Sequence, residues 1–128
     1  MSSIDRPLSG DVMLSNLHEA RGEAADPATL ERSGRSARTL FKQGPLRATL
    51  VVLAPGGEMA EHQAPGPITL QPLDGRIRFS SGGDVHELVP GDLLTAGPGV
   101  SHAVSSEEGG SFLLTMVHPE ASSGGAGS

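Results

Sequence analysis

The chain has 128 residues, a length typical of one domain with a single core, and its only aromatic residues are three phenylalanines. Its formal net charge of −6 opposes nucleic acid and anionic membranes as partners, and so few aromatic rings exclude a stacking platform for single-stranded nucleic acid. With no cysteine, disulfides and thiolate metal sites are ruled out. Since no apolar run resembles a signal peptide or reaches the ~20 residues of a membrane span, we expect a cytoplasmic protein.

Residues 1–37 are predicted to form an N-terminal arm with short helical turns. Residues 1–11 are polar and predict a flexible lead-in, and residues 12–14 are predicted as a short strand. A basic cluster begins in the arm and consists of Arg32, Arg35, Arg38, Lys42 and Arg47. We interpret the cluster as a solvated face whose charges guard an exposed strand; the alternative is an arginine rim that attracts an anionic ligand.

Two helices are predicted within the arm. Asn16 followed by Glu19 is typical of a capping box and predicts a helix through about Ala24. Asp26 followed by Pro27 predicts a further turn, because aspartate caps helices well and proline suits the first helical position. Helices this short are marginal alone, so we expect them to dock on the main domain.

From residue 38 onward the apolar pattern takes a period of two, which is typical of strands. Strands are predicted at residues 38–42, 46–54, 68–73, 76–80, 85–89, 93–96, 102–105 and 111–118. In the second of them both faces are apolar at the far end, which predicts that it is covered on both sides there. Pro72 is expected at an edge or a bulge, because proline donates no ladder hydrogen bond.

Many short strands joined by glycine- and proline-rich turns, without helix–strand alternation, predict an all-β fold. The natural architecture is a double-sheet jelly roll or a small barrel. The predicted barrel covers residues 38–120, and the small, glycine-rich residues 121–128 are predicted to be a disordered tail.

Two stretches of the predicted barrel carry paired glycines and a histidine at fixed spacing. The first runs from Gly56 to Gly75, with His62 after five intervening residues. The second contains Gly91, Gly99 and His102. These residues resemble the two motifs of the cupin superfamily, and the chain is similar to small single-domain cupins of the cupin-2 type with an RmlC-like jelly roll. The resemblance implies the family's double-stranded β-helix, or jelly-roll barrel, here.

The first motif departs from the family pattern at two positions. Cupin metal sites use three histidines and one glutamate, whereas this chain has Ala64 at the second histidine position and Ile68 at the glutamate position. Of the four ligands that the resemblance implies, only His62 and His102 remain. Two ligands plus solvent would hold a divalent transition metal such as Zn, Fe, Mn or Ni only weakly.

An apolar wall beside two imidazoles predicts a pocket for a small organic molecule. The residues predicted to contact that molecule are His62, Ile68, Leu70, His102 and Met116. The alternative is a metal-dependent cupin enzyme of the dioxygenase or isomerase type. In such an enzyme His62 and His102 would be metal ligands, or one of them a general base. The residues leave open whether the protein is an enzyme.

A third interpretation is an interaction module with a vestigial pocket. The resemblance implies a homodimer formed through a sheet face or edge, and the basic arm could lie across the partner. Among the remaining polar residues of the barrel, Gln71 is expected to face outward and His86 to lie on the surface. His118 is expected to share a face with Phe112 and to close one end of the barrel.

Overall fold

The computed structural model describes residues 8–119 as two short helices followed by nine strands. The helices are α1 (Leu17–Ala24) and α2 (Pro27–Ser33). The strands are β1 (Arg35–Gln43), β2 (Leu46–Leu53), β3 (Gly57–Gln63), β4 (Ile68–Gly75), β5 (Ile77–Ser81), β6 (Asp84–Leu88), β7 (Leu94–Ala96), β8 (Ser101–Ser106) and β9 (Gly110–Val117). The predicted tail, 121–128, and residues 1–7 of the predicted lead-in lie outside the described residues.

The strands form two antiparallel sheets that enclose one apolar core. The first sheet has the order β1-β2-β9-β4-β7, and the second has the order β3-β8-β5-β6. Both contribute to the interior, where Leu70 and Phe112 of the first sheet pack in one cluster with Ile77 and Val104 of the second. This arrangement confirms the predicted all-β jelly-roll fold. In residues 8–119 no helix has the length and apolar character needed to cross a membrane.

A second, smaller core lies on the outer face of the first sheet, under α1. Ala20 and Ala24 of this helix pack there against Leu40 and Leu50. Because Leu50 faces the helix while Val51 faces the barrel interior, β2 is covered on both sides, as its sequence predicts. The docked helix thereby gains the tertiary contacts that a helix of eight residues needs.

The helix boundaries follow the capping residues that the sequence indicates. The Asn16 side chain accepts a hydrogen bond of 2.9 Å from the Glu19 amide, and Asp26 accepts one of 3.0 Å from the Thr29 amide. The hydrogen bond from the Thr29 hydroxyl is the main cause that lowers the pKa of Asp26, and the bond from the Thr29 amide lowers it further. Both bonds favour the charged form of the carboxylate. α2 ends at Gly34, whose φ of 79° suits a helix end. Both predicted helices are confirmed.

β1 lies at the edge of the first sheet, and the basic cluster is carried largely on it and its neighbours. Arg35 is exposed, and Arg38 lies 3.9 Å from Glu23 in a half-buried ion pair. Charges on an edge strand oppose pairing with other chains, which agrees with the interpretation of a guarded strand. β1 begins at residue 35, earlier than predicted, because its pairing with β2 continues to the partners Arg35 and Leu53.

Two strand predictions are corrected by the structure, and one bulge is confirmed. Residues 12–14 form no strand, although all three are apolar. β3 was not predicted as a strand. β3 lacks the alternating apolar pattern by which the other strands were predicted, because most of its side chains are exposed. The β4–β9 register shifts between Pro72 and Asp74, so Pro72 lies at a bulge, and Gln71 is exposed as expected.

Candidate functional site

His62 and His102 come together where β3 pairs with β8. They are direct register partners, their ring centroids are 4.5 Å apart, and the ring planes meet at 64° in an edge-on arrangement. Partners directly opposite each other in an antiparallel pair project from the same face of the sheet. On β8 this face is the barrel interior, since His102, Val104 and Ser106 are buried. The predicted meeting of the two imidazoles is therefore present in the structure.

A bulge in β3 makes this pairing possible. Met59 is the register partner of Val104, and His62 is the partner of His102, so two residues of β3 stand opposite one residue of β8. Residues three apart on a regular strand point to opposite faces. Because of the extra residue, the side chains of Met59 and His62 both point to the barrel side of the sheet. In a regular strand His62 would point to the opposite side from Met59.

Hydrogen bonds to the main chain set the tautomer of both rings. His62 Nδ1 lies 2.9 Å from the Ala60 carbonyl oxygen, and His102 Nδ1 lies 3.0 Å from the Val100 carbonyl oxygen. A carbonyl oxygen only accepts, so each Nδ1 carries the proton and donates. In a neutral imidazole the other nitrogen, Nε2, is then an acceptor. In its neutral form the pair therefore carries two acceptor nitrogens.

The two rings differ in how firmly they are held. His102 is only 4 % exposed, and its ring stacks on Phe79 with centroids 5.1 Å apart and planes 18° apart. His62 is exposed and lies edge-on to His102. His102 is thus a fixed, buried group of the barrel wall, whereas His62 is exposed to solvent beside it. Phe79 was not identified as a site residue, although the alternation of β5 placed it on the inner face beside Ile77.

Solved structures that resemble this chain include several described as cupins. A cupin superfamily protein from Desulfitobacterium hafniense matches with a TM-score of 0.64 and 19 % identity over 66 % of this chain and 78 % of its own. A cupin-2 domain protein from Shewanella frigidimarina matches with a TM-score of 0.67 and 14 % identity over 82 % and 95 %. The chain has the fold of a small cupin-type domain.

A conserved protein of unknown function from Streptococcus pyogenes is also similar to this cupin-type domain. Its TM-score is 0.64 and its identity 26 %, over 76 % of this chain and 89 % of that protein. No protein-family model and no curated protein matches the sequence. The likeness therefore establishes the cupin fold and leaves the activity to be argued from the site.

The other predicted lining residues of this cupin-type domain lie deeper in the barrel. Ile68 and Leu70 are buried in the same apolar cluster as Phe79, and Met116 packs against that cluster half-buried. Met116 is the register partner of Ile68 across β4 and β9. A molecule held by the two histidines would meet the edge of this apolar cluster. The binding role of the five residues stays a prediction.

The metal that cupins commonly carry does not fit the residues present. Ala64 and Ile68 are buried apolar residues at the two positions where the family pattern has ligands. Glu61, the carboxylate next to His62 in sequence, instead accepts a hydrogen bond of 2.6 Å from the Ser101 hydroxyl. Within residues 8–119 no three histidine or carboxylate side chains are grouped closely enough to hold an ion. Catalytic zinc sites ordinarily have three protein ligands.

We therefore expect tag-free protein to carry less than about 0.2 equivalents of any transition metal, because two imidazoles hold an ion only weakly. Elemental analysis by mass spectrometry after gel filtration measures this value. The His102→Asn variant is the control and should give the same background. A stoichiometric metal that disappears in this variant would contradict the assignment.

The remaining histidines of the described chain lie outside the pair. His86 is the register partner of Phe79 on the edge strand β6 and is exposed, as expected for a surface residue. His118 follows the end of β9 and is exposed, so the prediction that it closes the barrel is wrong. Its amide donates to the Pro45 carbonyl oxygen, next to the pairing of Leu46 with Val117.

Proposed function

We propose that this cupin-type domain binds a small hydroxyl-bearing organic molecule at His62 and His102. The observation that carries the proposal is the bond from each Nδ1 to a main-chain carbonyl, which leaves Nε2 as an acceptor on both rings. Two neighbouring acceptors are matched by a ligand with two donors. A diol, a polyol or a hydroxy acid offers such donors at a spacing suited to neighbouring rings.

The surroundings of the pair favour a ligand with an apolar side as well. His102 is backed by Phe79, and the cluster that includes Ile68 lies beyond it. Small-molecule sites in proteins are mostly apolar with a few polar groups that fix orientation, and an aliphatic wall with two imidazoles has this composition. The metal-dependent enzyme remains the less favoured alternative, because within residues 8–119 no third histidine or carboxylate joins its two ligands.

A panel of small diols, polyols and hydroxy acids tests the proposal when thermal unfolding is followed for each compound. A ligand that binds only the folded state raises the melting temperature, and the stabilisation grows with the logarithm of the ligand concentration above its dissociation constant. The informative variants are His62→Asn and His102→Asn, because asparagine keeps a donor near the Nδ1 position and removes Nε2. We expect either variant to weaken binding of a positive compound about 10-fold or more.

The matched control is His86→Asn, which changes an exposed histidine of the same barrel outside the pair. It should leave affinity within about 2-fold of the unaltered protein, since it removes no nitrogen of the site. Methylated analogues of a positive compound, which lack the donors, should fail to bind. Equal binding by hydroxyl and methyl ether forms, or by the asparagine variants, would show that the ring nitrogens do not hold the ligand.

A further inference from the structure

The barrel-side face of β2 changes from apolar to polar between the last residue of the strand and its first. Leu53 and Val51 are buried in the barrel core. Because β2 pairs with β9 without a register shift, its side chains keep alternating, and Thr49 and Arg47 continue the same face. Both of these residues are half-buried. An arginine therefore lies on the face of the first sheet that is turned to the barrel interior.

The register of the first sheet places Arg47 in one row with two of the predicted lining residues. Arg47 is the partner of Met116 across β2 and β9, and Met116 is the partner of Ile68 across β9 and β4. Since adjacent strands are ~4.8 Å apart, the Cα atoms of Arg47 and Ile68 are separated by about 10 Å. Arg47 thus borders the apolar wall on which the proposed ligand would rest.

β2 also lies across the barrel from β3, the strand that carries His62. The two strands are joined by a corner of three residues, 54–56. Arg35 of β1, the neighbour of β2, donates a hydrogen bond of 3.5 Å to the Glu58 carbonyl oxygen of β3. These connections bring β2 and β3 to the same side of the barrel in facing sheets, which pack about 10 Å apart.

The distance along each strand from this corner gives the level of the side chains. With the extra residue of the β3 bulge set aside, His62 is as far from the corner as Thr49. Arg47 is two residues further along, or about 7 Å. The arginine therefore lies across the barrel from His62 and closer than His62 to the β1–β2 turn.

Two main-chain acceptors hold one nitrogen of the Arg47 guanidinium. Its Nη1 donates to the Gly44 carbonyl oxygen at 2.7 Å and to the Leu46 carbonyl oxygen at 3.3 Å. Nε and Nη2 carry the other three of the five N–H donors. Within residues 8–119 neither atom donates to a carboxylate, since none of the ion pairs there involves Arg47. This edge of the guanidinium matches the two oxygens of a carboxylate.

A second cation stands directly beside Arg47. Lys42 is its register partner across β1 and β2, so the two side chains project from the same face. Like charges directly opposite each other destabilise a strand pair. No carboxylate among residues 8–119 forms an ion pair with either of them. An anion bound between the two cations would relieve their repulsion, so this pairing favours a negatively charged ligand.

We propose that the ligand of this site is a polyhydroxy acid, whose carboxylate binds Arg47 beside Lys42 while its hydroxyls donate to His62 and His102. The inference rests on the proposed function and narrows its ligand from any diol, polyol or hydroxy acid to the acid. Because Arg47 and the histidines lie on facing sheets and at different levels, several carbons separate the carboxylate from the hydroxyls that the histidines bind. Arg47 is a specificity-determining residue of the site.

Matched pairs of an acid and its neutral polyol test the inference by isothermal titration calorimetry at low ionic strength. The pairs are threonate with threitol, ribonate with ribitol, and gluconate with sorbitol. We expect an acid of this panel to bind about 10-fold or more tightly than its polyol, because a bidentate, charge-assisted contact adds to the hydroxyl contacts. Arg47→Gln should abolish this preference by weakening the acid about 10-fold or more, while affinity for the polyol stays within about 2-fold.

Arg32→Gln is the matched control, because it makes the same change of charge at an exposed arginine of α2. It should keep the preference for the acid, and the melting temperatures of both variants verify that they are folded. Equal affinity for acid and polyol, or an acid preference that Arg47→Gln leaves intact, would overturn this inference and leave the proposed function standing. If no compound of either kind bound, both would fail.

Discussion

Gly75→Ala is expected to remove about 3–5 kcal/mol of folding stability, because it combines backbone strain with a steric clash. Gly75 has a φ of 78°, in the left-handed region that residues with a Cβ rarely adopt. A Cβ at this position would also overlap the Gly109 carbonyl oxygen and lie 2.7 Å from Gly110 Cα. Both contacts are main chain, so no side chain can move aside. Urea unfolding monitored by circular dichroism measures the loss.

Gly56→Ala is the matched control for this prediction. Gly56 has nearly the same φ, 80°, but a Cβ there meets nothing within 4 Å. It should therefore cost only the backbone strain, about 1–2 kcal/mol. The difference between the two variants isolates the close approach of Gly75 to the start of β9. Equal losses in both variants would show that conformation alone requires the glycine at position 75.

Phe79→Ala is expected to destabilise the domain by about 3–5 kcal/mol and to release His102 from its fixed position. Phe79 is 3 % exposed in the barrel core, so the truncation leaves a cavity. Its ring is also the surface on which His102 stacks. The imidazole loses that support, and binding of a positive ligand should weaken by about 10-fold or more, beyond any effect of stability.

Phe112→Ala separates the two effects of this change. Phe112 is fully buried in the same core, and the ring that stacks on His102 belongs to Phe79. The variant should lose a similar free energy of unfolding, measured by urea titration, while ligand affinity at a temperature where both variants are folded stays within about 2-fold. If Phe112→Ala weakened binding as much as Phe79→Ala, stacking on His102 would not be the cause.

The features predictable from the sequence are those that rest on local chemistry. Asn16 and Asp26 cap their helices through hydrogen bonds to residues three positions away, so the short-range pattern contains the information. β8 alternates buried and half-buried residues and was predicted, whereas β3 is almost entirely exposed and was not. The strand predicted at residues 12–14 is absent for the opposite reason: these residues are apolar, but no strand of either sheet pairs with them. An apolar sequence pattern indicates which side chains could be buried. Whether they form a strand depends on a neighbouring strand with which they can pair.

The features of the candidate site also differ in whether the sequence could predict them. The resemblance of the two motifs to those of cupins predicted that His62 and His102 lie together, and the structure pairs them directly. The bulge after Met59 and the stacking of Phe79 on His102 depend on the register between strands far apart in sequence. No local pattern encodes such a register. The ligand positions at Ala64 and Ile68 were predicted to be apolar, and the structure shows both buried.

The position of β9 in the first sheet determines when this barrel can form during synthesis. β9 is the last strand of the described chain, yet it lies between β2 and β4 and pairs with both. Before residue 117 is translated, the β1–β2 hairpin and the β5–β6 hairpin can form, but the first sheet lacks its middle strand. Until β9 is made, β2 and β4 each lack the strand with which one of their edges pairs. The nascent chain thus exposes unpaired strand edges from the synthesis of β2 until β9 is made. Its folding, dominated by distant pairings, belongs to the slow millisecond-to-second class.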